Sequence, residues 1–266
     1  MVFLPDTALL VPGAAGRADP ASGLRDAAVA ALADLADPEG TGGRLLVVAP
    51  ARRDRFLPHP VSPGLGAAGL DLPGTARGAD GAVLADTPAS VALVLLRAAG
   101  VTAPVDVLEI DRAAADAPAA DALAAPDVLR ALVVVGSLSA RHGPDAPLAD
   151  DPRAPAVDDA LLTALAGGPA ALARALDDLG ADEARDLAVS GWAPWRAALA
   201  LLPAHAGPEP ATPHAEVVAG AQHVVAAWRP ADPTRPADPA RPTDPTRPAG
   251  PASRVHPAPH HPEESR

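Results

Sequence analysis

The sequence predicts an α/β protein: a layered sheet with helices on both faces. Three observations lead there. Short apolar runs bounded by Pro, Gly or charge read as buried strands. Segments with apolar residues at helical spacing alternate with those runs. Of the 266 residues, 48% are hydrophobic, enough for a sizeable core. Only 2% are aromatic, so Ala, Val and Leu must fill that core.

Taken in order, the expected strands are residues 8–11, 45–49, 105–110 and 131–135. Ser22 caps a helix whose Leu24, Ala28, Ala31, Leu32 and Leu35 share a face, stopping before Pro38. Segment 52–81 is rich in Gly and Pro with weak periodicity and is expected to include a long loop, the kind that borders sites. Thr87-Pro88 starts a helix that ends at Gly100. Helices follow over about 155–166, 169–179 and 182–189, with Gly180 ending the second as a C′ glycine. Another begins at Pro194, and 217–228 reads as a strand or a hairpin split near Gly220.

Composition changes at Pro230. A six-residue unit, Ala231-Asp232-Pro233-Thr234-Arg235-Pro236, then repeats. Two prolines in six forbid helix and ladder pairing, and little apolar surface remains to bury. The expected organisation is a folded domain over 1–229 and a disordered, polyproline-II-like tail over 230–266. The tail's His256, His260 and His261 read as solvated rather than metal-binding.

The net charge is −12, and there is no Lys, Asn, Tyr or Cys. That bias matches a GC-rich coding sequence. Without Cys there are no disulfides, thiolate metal sites or thiol nucleophiles. Residues 1–12 lack a basic region and make a poor signal peptide, and runs such as 91–96 are too short to span a bilayer. The expectation is a cytoplasmic, soluble protein that binds neither nucleic acid nor membrane.

The strand 132–135 runs straight into Gly136-Ser137-Leu138-Ser139-Ala140-Arg141-His142, a placement typical of α/β active-site loops. Three stretches together resemble the class III extradiol ring-cleavage dioxygenases and their Memo-like relatives. Leu4-Pro5-Asp6-Thr7-Ala8-Leu9-Leu10-Val11-Pro12 is similar to the family's Pro-His-Pro-Pro region. Val47-Val48-Ala49-Pro50-Ala51-Arg52 is similar to Val-Val-Gly-Pro-Ser-His. Val133-Val134-Val135-Gly136-Ser137-Leu138-Ser139-Ala140 is similar to Val-Val-Gly-Gly-Leu-Ser-His. Downstream, residues 151–165 resemble the family's Phe-Asp helix. Gly191-Trp192-Ala193-Pro194-Trp195-Arg196 resembles a Gly-Arg-Ala-Pro-Trp segment of an actinobacterial branch.

The resemblance implies a dioxygenase-like fold over about residues 1–230. It also implies a ferrous ion held by two His and a Glu with open positions, and a further His as acid/base. Carried onto this chain, the first His falls at Asp6, the second at Arg52 and the acid/base at Ala140. No carboxylate stands in 187–195, where the Glu is expected. Arg52 stays protonated and repels a dication, and Ala140 cannot move a proton. The favoured expectation is an Asp6–Arg52 ion pair in place of iron.

Other residues are candidates for the site. His142 is either a substitute acid/base or an exposed loop histidine, with the second favoured. His59 reads as a surface-loop histidine, and His223 as a hydrogen-bonded or edge-strand histidine. Ser137 and Ser139 lack the Gly-x-Ser-x-Gly elbow of a hydrolase. Trp192 and Trp195 read as core. Glu109, Asp111, Asp158 and Asp159 read as solvated or capping acids.

Two functions remain. The first is a degenerate, non-catalytic binding or scaffold protein with no cofactor. The second is an oxidoreductase with a rebuilt iron site drawing on Asp6, His59, His142 and Glu216, which requires those side chains to converge at the strand ends. The expected partners are a small aromatic or anionic ligand, with Arg52 as the anion contact, and a second copy of the chain.

Overall fold

A computed structural model describes residues 1–36, 43–70, 82–113, 129–202 and 208–229. The proline-rich segment 230–266, with its three histidines, lies outside the described residues.

The strands are β1 (Val2–Leu4), β2 (Arg44–Ala51), β3 (Arg55–Leu57), β4 (Val61–Pro63), β5 (Val83–Ala85), β6 (Val105–Asp111), β7 (Leu129–Val135), β8 (Glu209–Pro210), β9 (His214–Val218) and β10 (Ala221–Arg229). The helices are α1 (Ser22–Ala33), α2 (Thr87–Ala98), α3 (Ala154–Gly167), α4 (Pro169–Asp186) and α5 (Trp192–Ala200). The main sheet runs β3-β6-β2-β7-β1-β10-β8, with β9 also paired to β10. Strands β6, β2, β7 and β1 are parallel, and β3 and β10 flank them antiparallel. A separate parallel pair joins β4 and β5.

Side chains alternate across this sheet with period two. Leu45, Val47, Val133 and Val135 pack with Leu24, Leu32, Val91 and Leu95 of α1 and α2. Leu46, Val48, Leu132 and Val134 pack on the opposite face with Leu161, Leu176 and Trp195 of α3, α4 and α5. The expected α/β sandwich, with helices on both faces, is therefore observed. Most of the aromatic surface gathers on the second face, where Phe3 meets Trp195 and Trp228 edge-on at 5.7 and 4.7 Å. Trp192 and Trp195 are both buried, as core residues.

Two local expectations change. Residues 8–10 form a 3-10 turn rather than a strand, because Thr7 Oγ1 accepts from the Leu9 N–H and favours the turn. The strand precedes it, ending at Leu4 before Pro5. In segment 52–81, expected to include a long loop, the described part 52–70 holds β3 and β4, and 71–81 lie outside the described residues. Glu109 and Asp158 are buried rather than solvated. Glu109 accepts from Arg55 Nε and the Asp86 N–H, both at 2.6 Å. The neighbouring buried Asp106 accepts from Arg44 Nε at 2.6 Å, and that guanidinium holds its carboxyl below the usual range.

The helix punctuation follows the expectation in part: α1 and α2 begin at Ser22 and Thr87, but their N-caps are Ala21 and Asp86, and neither Ser22 nor Thr87 makes a capping hydrogen bond. Pro88 stands in the first turn of α2, and Gly180 interrupts α4 with φ 68° and ψ 164°. No helix among the described residues is long and apolar enough to cross a membrane.

Candidate functional site

The register of the sheet aligns three polar side chains. Leu4 pairs with Val135 on β7, and Phe3 with Ala226 on β10. Continued beyond Leu4, the same offsets put Asp6 between Ser137 on one side and His223 on the other. The hydrogen bonds agree. Ser137 Oγ lies 2.6 Å from Asp6 Oδ1 and 2.8 Å from His223 Nδ1. The Asp6 N–H also donates to Ser137 Oγ at 3.3 Å.

Valence fixes the roles in this row. A carboxylate only accepts, so the single Ser137 proton goes to Asp6 Oδ1. His223 must then donate from Nδ1–H, which makes Nε2 an acceptor. Burial lowers the pKa of His223, favouring this neutral form, while the nearby Asp6 carboxylate opposes that shift. Ser137 Oγ thus donates once and accepts twice, and its bonding capacity is filled. It acts as a clamp between the other two residues rather than a free nucleophile. The usual oxyanion donors are also taken. The N–H groups of Gly136, Ser137, Leu138 and Ser139 bond Leu4 O, Ser190 Oγ, Gln222 O and Asp158.

Asp6, Ser137 and His223 line a cavity of about 310 Å³ at the C-terminal ends of β1 and β7. Leu9, Leu138 and Val218 contribute apolar wall, and no arginine is among the described lining residues. Ala188 and Ala219, also in the wall, are the only non-glycine residues with positive φ among the described residues, at 56° and 51°. Ala188 occupies the C′ position of a Schellman cap on α4: Val189 N–H bonds Ala184 O and Ala188 N–H bonds Arg185 O. Ala219 and Gly220 form the two-residue turn between β9 and β10, with both φ values positive as in a type I′ turn.

Tight backbone contacts hold the loop after β7. A Cβ placed on Gly136 would lie 2.3 Å from Gly191 Cα, so only glycine fits that approach. The Gln222 N–H donates to Ser139 O and the His142 N–H to Gly220 O, tying the loop to the β9–β10 hairpin. His142 Nε2 meets Asp158 Oδ2 at 2.6 Å, and Ser139 Oγ donates to Leu187 O. Burial pushes the Asp158 carboxyl up, against the opposing pull of His142 and the Ser139 N–H.

The residues singled out in the sequence separate as follows. Asp6 and Ala140 line the cavity. Arg52 follows β2 at the same end of the sheet, but it is exposed, lies outside the lining and forms no ion pair with Asp6. The expected pair is replaced by the Asp6–Ser137 hydrogen bond, and the expected anion contact is not in the cavity. His142 is not an exposed loop histidine but a partly buried partner of Asp158. His59 is exposed at the N-terminal end of β6, where its N–H donates to Asp106, the opposite end of the sheet from the cavity. Glu216 on β9 bonds His214 at 2.7 Å. The four residues of the rebuilt-site reading therefore do not converge.

The residues present do not fit a ferrous ion. At the cavity stand one carboxylate and one imidazole bridged by a serine, and Ala140 brings no donor. Among the described residues no group of three or more His, Asp or Glu side chains is arranged to hold a metal. Sequence reasoning treated Ser137 and His223 separately and missed them as members of one row. Their signal was the pairing of 131–135 and 221–229 with the first strand, which apolar runs alone do not reveal.

Comparison of the chain with protein-family models finds no match, and comparison with curated proteins finds no similar sequence.

Proposed function

We propose that the chain is a class III extradiol dioxygenase-like protein without the iron site, acting as a non-catalytic binding protein. It takes a small ligand in the cavity of Asp6, Ser137 and His223. The observation that carries this reading is the fate of the positions the resemblance assigns to iron chemistry. Asp6 is engaged by Ser137, Arg52 lies outside the cavity lining, and Ala140 has no proton to give. What remains is a partly apolar cavity with a small fixed set of polar atoms. That is the usual make-up of a small-molecule site, and 310 Å³ falls at the small end of the usual range.

The test is anaerobic loading of purified protein with ferrous ion, followed by metal analysis and a catechol-cleavage assay. The expected result is substoichiometric iron and no ring-opened product. One iron per chain with ring opening overturns the reading.

A further inference from the structure

The charge inside the cavity is unbalanced. Ser137 is neutral, burial favours the neutral form of His223, and no described arginine lines the wall. Asp6 takes part in no ion pair among the described residues, and its one side-chain partner is Ser137 at Oδ1. Two acceptor atoms are left, Asp6 Oδ2 and His223 Nε2. Neither has a partner among the described residues, and neither is among the buried atoms sealed from solvent without one. Both belong to side chains that line the cavity, which places them within reach of a ligand there.

We infer that this cavity binds a primary ammonium group carried on a small apolar body, with Asp6 Oδ2 and His223 Nε2 as its acceptors. An ammonium offers three donors and a positive charge, matching two acceptors on side chains held together by Ser137, of which one is a carboxylate. Leu9, Leu138 and Val218 provide the surface for the apolar body. A carboxylate ligand meets the charge of Asp6 with no cation to offset it. A metal ion finds only two donors, too few to hold it. The inference rests on the non-catalytic binding reading above and names the ligand class of the same site.

The experiment is calorimetric titration of the full chain with butylammonium, benzylammonium, benzyl alcohol and benzoate at low ionic strength. Binding of at least one ammonium, at least about tenfold tighter than benzyl alcohol and benzoate, is the expected result. Asp6→Asn keeps an oxygen to accept from Ser137 while removing the charge, and it should weaken ammonium binding about tenfold or more. Arg52→Ala, outside the cavity lining, should leave it unchanged. Equal binding of benzoate or benzyl alcohol, undiminished binding to a folded Asp6→Asn variant, or no binding of either ammonium overturns the inference. Should Asp6→Asn fail to fold, His223→Gln gives the second measurement: ammonium affinity unchanged in that folded variant also overturns the inference. Iron content is measured on the same preparation. Iron-free protein that ignores both ammonium probes sinks the inference alone, whereas one iron per chain with ring opening sinks the binding-protein reading beneath it.

Discussion

Ser137 Oγ stands 2.8 Å from His223 Nδ1, joining the loop after β7 to a strand 86 residues later. The hydroxyl serves as acceptor for a buried N–H and as donor to a carboxylate. Ser137→Ala leaves the His223 Nδ1–H without its partner and removes the hydroxyl bonded to Asp6. Each unsatisfied buried group costs about 1–3 kcal/mol, so urea unfolding should register a loss of at least about 1 kcal/mol. Unchanged stability would mean that water replaces the hydroxyl at no cost.

Gly136→Ala should destabilise by about 2 kcal/mol or more, because the new methyl meets the backbone of Gly191 rather than a movable side chain. The loop after β7 must then shift. A urea midpoint equal to that of the parent chain would contradict the tight approach of the two glycines.

Ala188→Gly should stabilise the protein by about 0.5–1 kcal/mol. Alanine at φ 56° carries a left-handed backbone penalty of about 1–2 kcal/mol, partly offset by glycine's greater entropy in the unfolded chain. Ala219→Asn should act in the same direction, since Asn-Gly is the preferred type I′ pair. Thermal unfolding of the two single variants and the double variant gives the measurement, with a rise in Tm expected for each.

His223 gives stability a definite pH dependence. Its folded pKa lies below 6.5, so the unfolded chain takes up this proton first as the pH falls. Its contribution is fully present above about pH 6.5 and is lost as the pH drops toward the folded value. His223→Asn retains an N–H donor for Ser137 without the titration, so it should lessen the fall in urea midpoint between about pH 7 and about pH 5. An equal fall in parent and variant would remove His223 as the cause.

Asp158 acts with the opposite sign. Its folded pKa lies above 3.8, so the native chain holds this proton longer, and stability declines as the pH rises from about 3.8 through the folded value. Asp158→Ala removes that slope but leaves the Ser139 N–H unpaired, costing about 1–3 kcal/mol at neutral pH. Chemical denaturation at several pH values separates the two effects.

The legible parts of the fold were those whose chemistry is local. Strands β2 and β7 carry continuous apolar runs, and β6 an apolar run broken by Asp106 and Glu109, because both of their faces are covered. Pro88 and Gly180 punctuate helices through their own backbone limits. Strand β1 has only three residues, too few for any period, and was misplaced onto the turn that Thr7 caps. Asp158 and Glu109 read as solvated because their partners, His142 with Ser139 and Arg55 with Asp86, are set by tertiary contacts. At the cavity, Asp6 and Ala140 were found from motif position. The link from Asp6 through Ser137 to His223 depends on strand order, which a single sequence does not display.

That strand order also bears on how the protein can be made. The shortest strand of the parallel core, β1, lies between β7 and β10, and Met1 exchanges backbone hydrogen bonds with Trp228 in both directions at 2.8 Å. A ribosome releases β1 well before its antiparallel neighbour, so after β7 has emerged to cover one edge of β1 the other edge still waits for β10. A nascent chain halted before β10 has one edge of β1 bare and lacks His223 altogether. The cavity is therefore complete only once β10 has joined β1, and a fragment that ends before His223 lacks one of its three polar residues.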